Sequence, residues 1–214
     1  VDPKKMTYKN QAEQIIKNLE KRNMNGLYCE TSQEAVKAIC GMIPENVLVG
    51  LGGSMTIIET GLVDALRKMN IRLLDRYRED VTPEKVNDMR MEGLRSDIFI
   101  ASSNAITSDG KLVNEDGVGN RVAAMIYGPK KVILMVGMNK AVNTLEDAIT
   151  RIKNTAAPIN AVRVQKDTPC SKMGFCNDPH CHPPHRICSQ LVIIESNPEP
   201  DRVTVILVGE ELGY

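Results

Sequence analysis

Between residues 168 and 188 the chain places four of its six cysteines and all three of its histidines. Cys170, Cys176, Cys181 and Cys188 follow one another as C-x5-C-x4-C-x6-C, with His180, His182 and His185 among them. Thiolates and imidazoles are the side chains that hold transition metals, and the prolines and Gly174 of the segment bend the backbone so that sulfurs far apart in sequence face one point. Four thiolates, or three with one histidine, satisfy tetrahedral zinc; four cysteines also suit an iron–sulfur cluster. The spacing matches neither the paired Cys-x-x-Cys knuckles of zinc ribbons nor the tight ferredoxin run, so it leaves both metals open, with a metal-free thiol loop as the alternative. The metal role expected here is structural rather than catalytic.

A second chemistry-bearing stretch is Val47-Leu48-Val49-Gly50-Leu51-Gly52-Gly53-Ser54-Met55-Thr56, a buried strand that runs through glycines into a helix. Gly52 and Gly53 let backbone approach an anion, Ser54 and Thr56 add hydroxyl donors, and free N–H groups at a helix start supply positive potential. This predicts an anion-binding loop. The Walker lysine is missing and the spacing differs from Gly-x-Gly-x-x-Gly, which argues against an NTPase and a dinucleotide site. A strand-to-helix turn with no ligand is the plainer reading. Glu59 either caps the helix through Thr56-x-x-Glu59 or projects toward the site as an acid or base.

A third polar group follows the apolar run 97–101, at the kind of strand end where open α/β sheets place their ligand crevice. Asn104, Thr107, Asp109, Gly110 and Asn120 are its candidate ligand-binding residues, although Asp109-Gly110 is also a common turn dipeptide and Asn120 a common helix cap. Lys140, beyond the run 132–136, is a third strand-end residue able to meet an anion. Glu59, Asp109 and Lys140 are the candidate catalytic groups. Arg72, Arg76 and Arg78 with Tyr77 form either an anion or partner patch or a solvated surface; the second reading is preferred.

The elements that must position these residues follow from apolar periodicity. Ile15, Ile16 and Leu19 recur at helical spacing in residues 4–25, and Thr31 with Glu34 forms a capping box for a helix ending near Gly41, so two helices are expected before the first strand. Short apolar runs at 47–50, 71–75, 97–101 and 132–136 then alternate with helical stretches at 56–69, 83–91, 120–127 and 144–154. That alternation predicts an α/β fold: a Rossmann-like, mostly parallel sheet with helices on both faces, preceded by an N-terminal helical segment. The late runs 191–195 and 202–208 either pair as a terminal hairpin or occupy separate sheet positions.

Lysine and arginine total 27, as do aspartate and glutamate, so no general attraction to nucleic acid or anionic lipid is expected. No apolar run approaches the roughly 20 residues of a membrane span. The polar opening residues lack a secretory core, and the expected location is the cytoplasm, with cysteines as thiols or metal ligands rather than disulfides.

Several of these stretches, in this order, resemble the LUD domain, the lactate-utilisation family, of the ribose-5-phosphate isomerase and coenzyme A transferase type of fold. The resemblance runs from about Val47 to the C-terminus and rests on Gly50-Leu51-Gly52-Gly53-Ser54-Met55-Thr56 with Glu59 and Gly61, Ala105-Ile106-Thr107-Ser108-Asp109-Gly110, Gly119-Asn120-Arg121-Val122-Ala123, Gly128-Pro129-Lys130 and the late cysteines. It implies a domain at 46–214 that includes the segment 168–188, with residues 1–45 as a helical segment packed on the core. It further implies a subunit or accessory enzyme in L-lactate oxidation to pyruvate, binding an anionic small metabolite and working with iron–sulfur partner proteins. The competing readings are a zinc- or iron–sulfur-carrying redox or assembly protein and a metabolite-sensing regulator without catalysis. The sequence identifies no organic cofactor and no oligomeric state.

Overall fold

A computed structural model describes residues 2–214. Helix α1 (Pro3–Lys21) starts where the Asp2 side chain accepts the Lys4 N–H, with Pro3 at a position that needs no N–H partner. Its Ala12, Ile15 and Leu19 are buried, as helical spacing requires. Strand β1 (Asn25–Cys29) follows at once, ahead of α2 (Ser32–Gly41), whose Thr31–Glu34 capping box forms as expected. The expectation of two helices before any strand is therefore corrected. β1 carries Asn and Gly and buries only its last residue, so its apolar signal is faint. Gly26 is there for contact: a Cβ would come within 2.7 Å of Ile16 Cγ1 on α1. Residues 25–29 thus tie the N-terminal segment into the main sheet rather than leaving it a helical layer beside it.

The chain continues through β2 (Leu48–Leu51), α3 (Met55–Glu59), α4 (Leu62–Leu66), β3 (Arg72–Leu74), α5 (Pro83–Gly93) and β4 (Ile98–Ala101). The helix expected over 56–69 is broken into α3 and α4 by Gly61, whose φ of 72° lies in the left-handed region. After β4 come β5 (Ala105–Thr107), β6 (Leu112–Asp116), α6 (Asn120–Ile126), β7 (Lys131–Gly137), a 3-10 turn (Met138–Lys140), β8 (Ala141–Val142), α7 (Leu145–Arg151), α8 (Ala157–Arg163), α9 (Pro169–Met173), β9 (Gln190–Ile194) and β10 (Val203–Val208). A π-helical turn (Ile152–Ala156) joins α7 to α8, where Pro158 has no N–H to continue the ladder.

Six strands form one parallel sheet in the order β1-β10-β7-β4-β2-β3. Alternate residues of its central strand β7 go to opposite faces: Val132, Leu134 and Val136 pack with Ile15 and Leu19 of α1 and Met125 of α6, while Ile133 and Met135 pack with Ile39, Ile57 and Leu66 on the other side. Both faces are thereby covered, as a parallel sheet needs. A second sheet, β8-β5-β6-β9, is one the sequence did not announce. The two late apolar runs go to separate sheets, β9 antiparallel to β6 and β10 between β1 and β7, so the terminal hairpin does not form. β4 leads into β5 and β7 into β8, and β5 pairs with β8, so the chain leaves the large sheet for the small one at the carboxyl ends of β4 and β7. Among the described residues no helix is long and apolar enough to cross a membrane.

The turn from α6 into β7 depends on Gly128. Its φ is 113°, and a Cβ there would overlap the Leu94 carbonyl oxygen. Gly128→Ala is expected to lower unfolding free energy by about 1–3 kcal/mol through backbone strain and overpacking. Urea denaturation measures it, and an unchanged midpoint would refute this account of the turn.

Candidate functional site

Residues that leave the carboxyl ends of four adjacent strands line one cavity of about 340 Å³: Gly53 and Ser54 after β2, Arg76 after β3, Ser102 to Asn104 after β4, and Lys140 after β7. This is where parallel α/β sheets place ligands, because loops diverge there and leave a crevice. Across it stand Asn120 and Arg121 of α6, Arg90 of α5, Glu115 and Asp116 of β6, and Asn160 and Arg163 of α8. The π-helical turn contributes Ile152 and Ala156 to the wall.

The floor is built around Arg121, which is 8% exposed. Its Nη1 donates to the Ser102 carbonyl (3.1 Å) and to Asn114 Oδ1 (2.6 Å); its Nη2 donates to Asn104 Oδ1 (2.9 Å) and the Glu115 carbonyl (2.8 Å). Nε faces Asp116 Oδ2 at 3.4 Å. Burial lowers its pKa, with Asp116 opposing the shift.

Lys140 is 3% exposed and donates to Thr56 Oγ1 (2.8 Å) and Ser102 Oγ (3.2 Å), two hydroxyls and no carboxylate. Burial first, then the like charges of Arg151 and Arg121, bring its pKa down to about 7. A large share of this amine is therefore neutral at neutral pH, with a lone pair available as base or nucleophile.

The Arg76 guanidinium makes no hydrogen bond or ion pair among the described residues, and burial lowers its pKa, with Arg90 and Arg163 adding like charge and Tyr77 and Asp116 opposing. Arg90 Nε is buried without a hydrogen-bond partner. The cavity thus presents Arg76 and Arg90 with hydrogen-bond donors unmet, beside the carboxylates of Glu115 and Asp116, and such donors draw an anion.

The glycine loop plays a different part from the expected one. Tyr77 donates to the Gly52 carbonyl (2.7 Å) and accepts the Ser54 N–H (3.0 Å), so that amide is already engaged. α3 begins at Met55 with no side-chain cap, and the Thr56-x-x-Glu59 box does not form. Gly52 is needed because a Cβ would stand 2.8 Å from Ala101 Cβ and 3.3 Å from Arg121 Cγ. A Cβ at Gly53 would instead make ordinary contact with the Arg76 guanidinium, 3.6 Å from its Nη1. Thr56 is fully buried and serves Lys140, and Glu59 accepts the Gly213 N–H (2.9 Å), fastening the C-terminal segment.

Of the second constellation, Asn104 and Asn120 line the cavity and Thr107, Asp109 and Gly110 do not. These three form the β5–β6 turn, in which Thr107 donates to Asp109, Asp109 pairs with Arg22 (2.7 Å), and Gly110 packs on the backbone of α1. Arg72 and Arg78 are exposed and pair with Glu92 and Asp80, leaving Arg76 and Tyr77 as the members of that run that reach the site. Sequence reasoning missed Arg90, Arg121, Asp116 and Arg163. Only Arg121 lay within a motif already singled out.

All six of the chain's cysteines are free thiols, including the four of the segment 168–188. Cys170, Cys176, Cys181 and Cys188 line one small cavity, whereas His180, His182 and His185 are exposed and outside it. Burial pushes the Cys188 thiol up to about 12. Among the described residues no three His, Cys, Asp or Glu side chains already stand at ligating distance.

Fold and cavity together define a doubly covered α/β protein with a cationic ligand cavity at the strand ends. The LUD domain model matches residues 12–208, and the chain belongs to that family, which is linked to lactate utilisation. Among solved structures it is similar to a DUF162 family protein from Deinococcus radiodurans, at 14% identity and a TM-score of 0.52, over 95% of this chain and 98% of that one. At that identity the likeness concerns the fold alone. No curated protein matches.

Lys140 gives the site a pH signature. Between about pH 7 and the ordinary lysine range the unfolded chain holds this proton and the folded chain does not, so Lys140 makes stability rise with pH across that window and destabilises fully below it. The wild type is expected to gain stability over Lys140→Met as pH rises through the window, measured by denaturation at each pH. Parallel pH curves for the two proteins would reject the buried, counterion-free amine.

Proposed function

We propose that the strand-end cavity binds a small anionic metabolite bearing a carboxylate or phosphate, and that the chain serves as a subunit or accessory enzyme in oxidation of L-lactate to pyruvate. The observation that carries the binding reading is the pair Arg76 and Arg90: both line the cavity, Arg76 has no partner, and Arg90 Nε is buried unpaired. Such groups gain most when a ligand oxyanion completes them, and a bidentate guanidinium also fixes the plane of a carboxylate. Family membership supports the lactate setting.

Within that reading Arg76 and Arg90 hold the carboxylate, Asn104 and Asn120 orient polar substituents, and Lys140 takes the proton from the substrate hydroxyl. Lactate becomes pyruvate by losing two electrons and two protons. Lys140 receives the hydroxyl proton, and the Cα hydrogen leaves with its electron pair to a two-electron acceptor carried by a partner protein, from which iron–sulfur centres draw the electrons one at a time. Asp109, in its turn beyond the cavity, takes no part, and Glu59 acts on Lys140 only through its charge.

Calorimetric titration with L-lactate, pyruvate and inorganic phosphate tests this. Arg76→Ala is expected to weaken binding by about tenfold to a hundredfold, the equivalent of one charge-assisted hydrogen-bonded contact. Binding without turnover, in the presence of the partner proteins, would favour the sensing role. Failure of all three anions to bind, or equal affinity in the variant, would remove the anion-site reading.

A further inference from the structure

We propose that Cys170, Cys176, Cys181 and Cys188 hold a single zinc ion as four thiolates, in a site that adjoins the anion cavity along one wall. The four residues approach one point from four separately fixed places. Cys170 lies in the first turn of α9, under a Thr168–Ser171 capping box. Cys176 follows Gly174, which ends α9 in the left-handed conformation, and its N–H is taken up by Asn154 Oδ1 (3.4 Å). Cys181 closes the 3-10 turn at Asp178–His180, and Cys188 stands just before β9. Arg186 spans the last two, donating to the Cys181 carbonyl (3.0 Å) and the Cys188 carbonyl (2.7 Å) while pairing with Asp178 (2.7 Å). A loop needs this much local fixing when the sulfurs themselves must meet.

The cavity between them is about 10 Å³, which is the room of one small sphere. The four free thiols border this void. Zinc would draw the sulfurs in to about 2.3 Å and close it, with four protons released as Zn²⁺ replaces them. A void of this size favours one ion over a cubane cluster, and the exposed histidines leave a sulfur-only set. Four thiolates around a dication carry net negative charge, and Lys153 and Arg186 are the cations whose fields reach these cysteines. Ile187 and Cys188 also line the anion cavity, so the ion would brace that cavity's wall.

The test uses the whole chain, made without a histidine tag and with zinc in the medium. Elemental analysis is expected to give one zinc per chain, falling to none in Cys176→Ser and Cys188→Ser. Where a variant fails to fold, alkylation of the wild type decides. Cys170, Cys176, Cys181 and Cys188 are expected to resist until a chelator is added and then to react together, with Cys29 and Cys40 unaffected by the chelator. Cobalt in place of zinc is expected to give the intense visible bands of a tetrahedral thiolate centre. Purified protein that contains no zinc and takes up neither metal, iron with acid-labile sulfide, or disulfides among the four would each overturn the proposal.

Discussion

The placement of the guanidinium of Arg121 is the constraint around which the cavity is arranged. A buried guanidinium carries a desolvation penalty of several kcal/mol unless every N–H is met. Here the acceptors come from the loop after β4 and from β6, and Asp116 at the end of β6 stands as counter-charge. Satisfying one side chain therefore fixes the junction where the chain passes from the large sheet to the small one. Asn104 and Asn114 are held in the same network, Asn114 Nδ2 donating in turn to Ser103 Oγ (3.1 Å). Gly52 belongs to it as well, because only a residue without Cβ lets β2 pass close to Ala101 and the Arg121 stem.

Once Arg121 occupies the floor, its positive charge shapes what lies above. Lys140 sits between this guanidinium and that of Arg151, with hydroxyls as its only hydrogen-bond partners, so it gives up its proton far more readily than a lysine in water. Arg76 and Arg90 line the same cavity with too few acceptors. Cations are thus concentrated at one end of a chain whose formal net charge is zero. A balanced total excludes attraction to polyanions over the whole surface, yet a local excess at a crevice still steers and holds a small anion.

The parallel sheet was readable because its strands are continuously apolar and its helices amphipathic, a pattern set by burial on both faces. β1 escaped notice because an edge strand with one buried residue leaves almost no such signal. The second sheet escaped because β5 and β8 are three and two residues long. At the cavity, sequence pointed to residues that line it: Ser54, Asn104 and Lys140 at strand ends and Asn120 at the start of α6. It could not separate these from Thr107, Asp109 and Gly110, since a polar turn that docks on α1 and one that lines a cavity use the same residue types. Arginines were hardest to place: Arg76 and Arg78 are two residues apart, yet one faces the cavity and the other pairs with Asp80 at the surface.

The cysteine segment and the anion cavity meet along one wall. Ala157, Ile187 and Cys188 border both, and Gly117 lies so close to Ile187 that a Cβ would stand 3.0 Å from its carbonyl oxygen. Lys153, in the π-helical turn, reaches Glu115 Oε2 at 2.9 Å, and the fields of Glu115 and Lys153 both act on Cys188. A change in the charge or spacing of the four sulfurs therefore reaches Glu115 through one ion pair and Gly117 through one packing contact. Both of these residues lie on the β6 side of the cavity, where Arg121 is anchored. The loop is bound to the site by direct contact, and a rearrangement of one cannot leave the other untouched.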